Sequence, residues 1–210
     1  MKLDREFWKK LRSLVFPIAF QQVMLALVSA TDAVMLGMLS QDAMSAVSLA
    51  GQVQFVFSLY LATMTIGTSM FAAQYWGKRD VDTVERLLGM VLLFTLPVGL
   101  LFTLAAAIAP GAIMRIFTPE PALVAGGAEY LRAVSLSYFF CGISQVFLCV
   151  MKNCGRAGRS SLISSACVLL NILLNALLIF GLFGFPEMGI AGAAAATVVA
   201  PAVEVVWAYL

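Results

Sequence analysis

Not one of the 210 residues is a histidine, and only 11% are charged, while 62% are hydrophobic. A histidine-based catalytic triad or a His-ligated zinc site is therefore excluded. Four cysteines are present, Cys141, Cys149, Cys154 and Cys167, without a C-x-x-C pair; they read as small buried hydrophobes. The stretch YWGKRD invites comparison with a phosphate-binding loop, but Ala72 stands where the leading glycine is needed, and Arg79 where Ser or Thr should follow the lysine. No linker, low-complexity tract or soluble domain interrupts the chain. No nucleotide engine, enzyme constellation or nucleic-acid partner is indicated, and no cofactor is implied beyond an exchangeable ion.

What is present is apolar length. A helix needs about 20 apolar residues to cross a hydrocarbon layer of roughly 30 Å. Six windows qualify, at about 14–38, 46–75, 87–108, 123–151, 160–183 and 189–210. The fold class is thus all-α, a polytopic membrane protein with six transmembrane helices, following a charged segment at residues 1–13. Eleven of the 13 basic residues fall in that segment (Lys2, Arg5, Lys9, Lys10, Arg12), in the second-to-third loop (Lys78, Arg79, Arg86) or in the fourth-to-fifth loop (Lys152, Arg156, Arg159). By the positive-inside rule the N-terminus is cytoplasmic and the chain crosses the cell's inner (plasma) membrane repeatedly. The first span is too long for a signal-peptide core and is read as a retained helix; Phe7 and Trp8 are placed to anchor the charged segment at headgroup level.

The informative residues are polar groups stranded in these spans. Asp32 sits inside ALVSATDAVMLG, and a carboxylate in a bilayer costs on the order of 3 kcal/mol even on lenient insertion scales, so it faces a bundle interior or a watery path. At about 1.5 Å of rise per residue, Asp32 lies roughly 9 Å below the outer end of the first helix, Asn175 about 12 Å and Asn171 about 18 Å below that of the fifth, and Thr197 about 14 Å into the sixth. All four fall in the outer half of the membrane. Asn171 and Asn175 share one helix face. A carboxylate, two amide oxygens and a hydroxyl form a plausible cage for sodium, or a pocket in which Asp32 holds a proton. Burial disfavours the ionised carboxylate and a bound cation favours it, so such a group can exchange one ion for another. The competing reading is that Asn and Thr simply join helices by hydrogen bonds.

Other features accompany the site. Pro17 is expected to bend the first helix near its inner end. Gln21, Gln52, Gln54 and Gln145 are candidates to line a cavity or substrate path. Gly189 with Ala193, and Gly192 with Ala196, are small-xxx-small pairs suited to close helix contact. Eleven Met and 15 Phe suit loosely specific apolar ligands, and equally suit lipid. Glu129 and Arg132 lie near the outer end of the fourth helix. Glu204, about 24 Å into the sixth helix, is expected near the cytoplasmic end and outside the Asp32 site.

Taken in order, FPIAFQQVMLALVSATDAVMLG, AAQYWGKRD, CGRAGRSSLISSACVLLNILLNALLIFG and GIAGAAAAT resemble the N-terminal half of a multidrug and toxic compound extrusion (MATE) transporter, from about Phe16 onward. The resemblance implies a twelve-helix transporter of two six-helix lobes that alternate between inward and outward openings. It implies export of small organic cations or amphipathic drugs in exchange for sodium or protons. Carried over by residue, it places a cation site on Asp32, Asn171, Asn175 and Thr197, Tyr130 near the lobe cavity, and Pro17 at the bend. Asn175 departs from members that carry a second carboxylate in the fifth helix. The chain stops at VVWAYL, so it reads as the N-terminal lobe, whose C-terminal lobe is its missing partner, and this piece alone is not expected to transport. A lipid-linked precursor flippase of the same superfamily would carry more basic residues along its cavity; a non-transporting membrane scaffold would tolerate Asp32→Asn.

Overall fold

A computed structural model describes residues 5–184 and 186–210, and every regular element among them is helical. Seven α-helices follow in order: α1 (Arg5–Leu39), α2 (Gln41–Gly77), α3 (Val81–Ile108), α4 (Pro110–Phe117), α5 (Pro121–Met151), α6 (Ala157–Phe180) and α7 (Ile190–Tyr209). The six apolar windows correspond to α1, α2, α3, α5, α6 and α7. The charged segment expected to stand apart is instead the first turns of α1, because Glu, Lys, Arg and Leu are strong helix formers; Lys2 lies outside the described residues. Trp8, on those turns, is exposed.

The ends of the spans have local causes. Ser40 opens α2, its hydroxyl accepting from the Ala43 backbone N–H at 3.0 Å. Asp80 opens α3 and accepts from both the N–H (3.0 Å) and the hydroxyl (2.7 Å) of Thr83. Those bonds hold the Asp80 carboxyl below the usual carboxylate range. Residues 110–117, which looked like connection, form the short helix α4, with Pro110 at its first turn and Met114 fully buried.

Pro121–Phe180 is a single apolar run of 60 residues, which as one rod would measure about 90 Å, three times a hydrocarbon core. It is broken by a π turn at Lys152–Arg156, where Gly155 takes φ +76°. That left-handed conformation suits glycine, and it divides the run into two membrane passes. Six helices therefore have the length and composition to span a bilayer, and the chain is a multi-pass membrane protein. The 37-residue α2 is about 55 Å long and must tilt or project beyond the hydrocarbon.

Helix α5 is the axle of the bundle, packing on α2, α3 and α7, while α6 packs on α1 and α7. Phe57, Phe102 and Tyr138 form the aromatic centre between α2, α3 and α5; Phe57 and Tyr138 meet edge to face with centroids 5.5 Å apart. Gly142 lets α3 approach α5, since a Cβ there would stand 3.2 Å from Thr95 Cγ2. Among the described glycines the closest approach to backbone is α7 on α6, where a Cβ on Gly192 would lie 2.6 Å from the Leu178 carbonyl oxygen. Elsewhere large side chains such as Phe16, Leu93 and Ile116 are exposed, as expected where lipid or further protein covers them.

Gly192→Ala is expected to destabilise the protein by about 1–3 kcal/mol, because backbone must shift to admit the methyl group. Gly89→Ala, where a Cβ meets nothing within 4 Å, should be neutral or slightly stabilising. Thermal melting of the two variants in detergent checks the contrast.

Candidate functional site

The α6–α7 contact and the packing of α1 on α6 bring the stranded polar groups together. Asn175 is fully buried, and its amide Nδ2 donates both to Asp32 Oδ1 and, at 3.2 Å, to Asn171 Oδ1. One amide thus ties the α1 carboxylate to its own helix. The other atom of that amide, Asn175 Oδ1, is buried and has no hydrogen-bond partner. Buried acceptors are normally satisfied, so an unmet oxygen one atom from a carboxylate contact marks a place where a cation or an O–H donor would be welcomed.

Thr197 on α7 and Tyr130 on α5 form a second pair. The Thr197 hydroxyl donates to the Ala193 carbonyl at 2.9 Å, and Tyr130 lies beside it on the same cavity wall. Asp32, Asn171, Thr197 and Tyr130 all line one cavity of about 680 Å³, formed by α1, α2, α5, α6 and α7. Asn175 stands behind the lining, in contact with Asp32. Four of the sequence-derived candidates therefore share a wall, and the fifth backs it.

The remaining candidates are placed differently. Gln21 is buried but is not part of the cavity, and its Oε1 is unpartnered. One turn before it, the carbonyl of Pro17 accepts from the Ser161 hydroxyl at 2.7 Å, joining α1 to α6. Gln52 is exposed and lies off the cavity, while Gln54 lines it; residues two apart on a helix point about 200° apart, so both cannot face one lumen. Gln145 also lines the cavity. Glu129 and Arg132 are exposed and border a separate depression on α5.

Glu204 is buried and lines the same cavity as Asp32, two turns along α7 from Thr197. Ser164 lines the cavity with it, and Ser144, near its carboxylate, donates its hydroxyl to the Cys141 carbonyl at 3.3 Å. Depth along the helix kept it apart from the outer site in the sequence, but the cavity is longer than that site. The available signal was the shared seven-residue spacing of Ser164–Asn171 on α6 and Thr197–Glu204 on α7, which places each pair on one face. The charged residues of the lining are both acidic, Asp32 and Glu204. Among the described residues no group of three or more His, Cys, Asp or Glu side chains comes together to hold a metal. One carboxylate with amide and hydroxyl oxygens is a hard donor set carrying at most a single negative charge.

A family model described as MatE matches residues 17–177. Over 193 residues the chain is 28% identical to a probable multidrug resistance protein NorM of Thermotoga maritima, covering 92% of this chain and 42% of the relative. It is 28% identical to the multidrug resistance protein PmpM of Pseudomonas aeruginosa over 189 residues, or 90% of this chain and 40% of that protein. The chain thus spans about two fifths of the length of these relatives. Among solved structures, the outward-facing conformation of a multidrug resistance MATE family transporter superposes with a TM-score of 0.85 at 24% identity, covering 95% of this chain and 44% of that one. A MOP superfamily transporter from Pyrococcus furiosus gives the same score and identity, with 95% and 43% covered. At that identity the likeness speaks for the fold.

A double-mutant cycle on Asp32→Ala and Asn175→Ala should give a coupling of about 1.5–3 kcal/mol, the range for hydrogen bonds to charged groups. Chemical or thermal unfolding of the four proteins in detergent measures it, and additive effects would mean that the pair does not interact.

Proposed function

The chain belongs to the MatE family of transporters, and from that premise we propose that it supplies the N-terminal lobe of a cation-coupled antiporter that exports organic cations or amphipathic drugs by alternating access. The N-terminus lies in the cytoplasm, the membrane is the cell's inner membrane, and a second lobe completes the path. The observation that carries this reading is the Asp32–Asn175–Asn171 chain at the cavity wall, with one buried amide oxygen left unsatisfied.

The amide of Asn175 can serve Asp32 in either of two states. With Asp32 ionised, one Asn175 N–H donates to it and the other to Asn171 Oδ1, the arrangement seen here. With Asp32 protonated, the same amide turned half a rotation offers its oxygen to the new O–H. With sodium as the coupling ion, that oxygen, the carboxylate and Asn171 Oδ1 are the hard ligands at hand, with the Thr197 hydroxyl nearby. In each case a single positive charge occupies the site, matched by a single carboxylate. Tyr130, beside Thr197 on the same wall, brings α5 up to the site.

A cavity of about 680 Å³ falls within the roughly 300–1,000 Å³ common for drug-sized ligands. Its walls are mainly apolar and its fixed charges are negative, which suits a lipophilic cation. No Lys or Arg is among its described lining residues, so a pyrophosphate headgroup of the kind a lipid-precursor flippase moves would meet no counter-charge.

The test is efflux of a fluorescent organic cation from vesicles carrying the intact transporter, with sodium and proton gradients imposed separately. Wild type should respond to one gradient, which names the coupling ion, and Asp32→Asn should abolish gradient-driven efflux. Unchanged efflux in the variant would make Asp32 structural and remove the coupling site from this lobe.

A further inference from the structure

We propose that Glu204, beside Ser164 on the cavity wall, forms a second station in the same cavity that holds the positive group of the cargo, leaving Asp32 to the coupling ion. This rests on the reading of the cavity as a transport path. Three observations carry it.

The first is enclosure. Glu204 is only 6% exposed, yet it lines the cavity rather than the lipid-facing surface. A buried carboxylate without a compensating charge is costly. Ser164, itself buried, lines the cavity beside it, while the Ser144 hydroxyl donates its proton to the Cys141 carbonyl at 3.3 Å, so the carboxylate is left short of donors for its roughly four acceptor positions. Lys152, on the π turn, is the basic residue whose charge acts on Glu204, and the thiols of Cys141 and Cys167 are also close enough to feel it.

The second is chemistry of neighbours. Beside Asp32 stand the amides of Asn171 and Asn175, whose oxygens are hard donors of the kind sodium takes. Around Glu204 stand hydroxyls and two thiols, and soft sulfur is a poor partner for a hard alkali cation but packs well against organic groups. The two carboxylates therefore favour different occupants.

The third is spacing. Seven residues separate Thr197 from Glu204 on α7, and Ser164 from Asn171 on α6, which is about 10.5 Å of rise. Between these layers the wall is apolar, with Tyr138, Val134 and Val168 among its residues. A lipophilic cation seated with its charge at Glu204 fills that interval without reaching Asp32.

The experiment measures equilibrium binding of tetraphenylphosphonium to the purified intact transporter, with gradient-driven efflux of the same probe measured in vesicles. Glu204→Gln should weaken binding about tenfold or more, and Glu204→Asp, which keeps the charge, should restore most of it. Asp32→Asn should retain binding while losing the dependence of efflux on the gradient. Unchanged binding in Glu204→Gln overturns the proposal, as does loss of binding in Asp32→Asn rather than Glu204→Gln. Gradient-driven efflux that survives in Asp32→Asn sinks the coupling reading instead, so the two failures are distinguishable. Should Glu204→Gln not fold, photolabelling of wild type with a benzophenone-bearing quaternary ammonium decides the matter. Label within residues 141–145, 164–168 or 200–204 supports the station, and label confined to other segments overturns it.

Discussion

A carboxylate held in the middle of an apolar bundle must be satisfied by something, and much of this structure is arranged around how Asp32 is satisfied. Its partner is a neutral amide, not a base. An arginine at Asn175 would fix the ionised state permanently, and an apolar residue would leave the charge stranded. An amide does neither, because it offers a donor on one side and an acceptor on the other. The unsatisfied Oδ1 of Asn175 is the structural sign that a single bonding state does not exhaust this site. An amide partner is thereby compatible with the reversible occupancy that the proposed function needs.

The rest of the fold keeps that contact in place beside a lumen. Helix α6 must carry Asn171 and Asn175 between α1 and α7, and the missing side chain of Gly192 is what lets α7 come within reach, against the Leu178 carbonyl. The Ser161 hydroxyl joins α6 to the Pro17 carbonyl at the other end of the α1 contact. Helix α5, fixed by the Phe57–Tyr138 centre, sets the opposite wall with Tyr130. Two carboxylates in one cavity then influence one another through the field. Two unit charges separated by about 10.5 Å, the rise between the Thr197 and Glu204 layers of α7, interact by roughly 1.5 kcal/mol at an effective dielectric of 20, about a tenfold effect on occupancy. On the proposed reading, a cargo charge at Glu204 would weaken the hold of Asp32 on its ion without touching it.

Much of this was legible in the sequence because membranes impose simple rules. Six apolar windows stand as spanning helices, and depth along each helix grouped Asp32, Asn171, Asn175 and Thr197 before any contact was known. Depth carries no azimuth, however. That is why Gln52 and Gln54 could not be told apart, although one is exposed and the other lines the cavity, and why Gln21 was grouped with a path it does not border. Depth also separated Glu204 from a cavity that extends further than one layer. The short helix α4 was invisible because its eight residues read equally as connection, and only the burial of Met114 against the bundle makes them a helix. The π turn at Lys152–Arg156 likewise depends on one glycine whose left-handed backbone no hydropathy window reports.

The central claim is that Asp32 gives up its ion when cargo arrives. Its most direct test is to titrate the purified intact transporter with a lipophilic cation in weakly buffered solution, with sodium present or absent, and to count the protons and sodium ions released for each cation bound. The account predicts stoichiometric release in wild type, and in Asp32→Asn binding of the cation without release. Equal release from both proteins would contradict it.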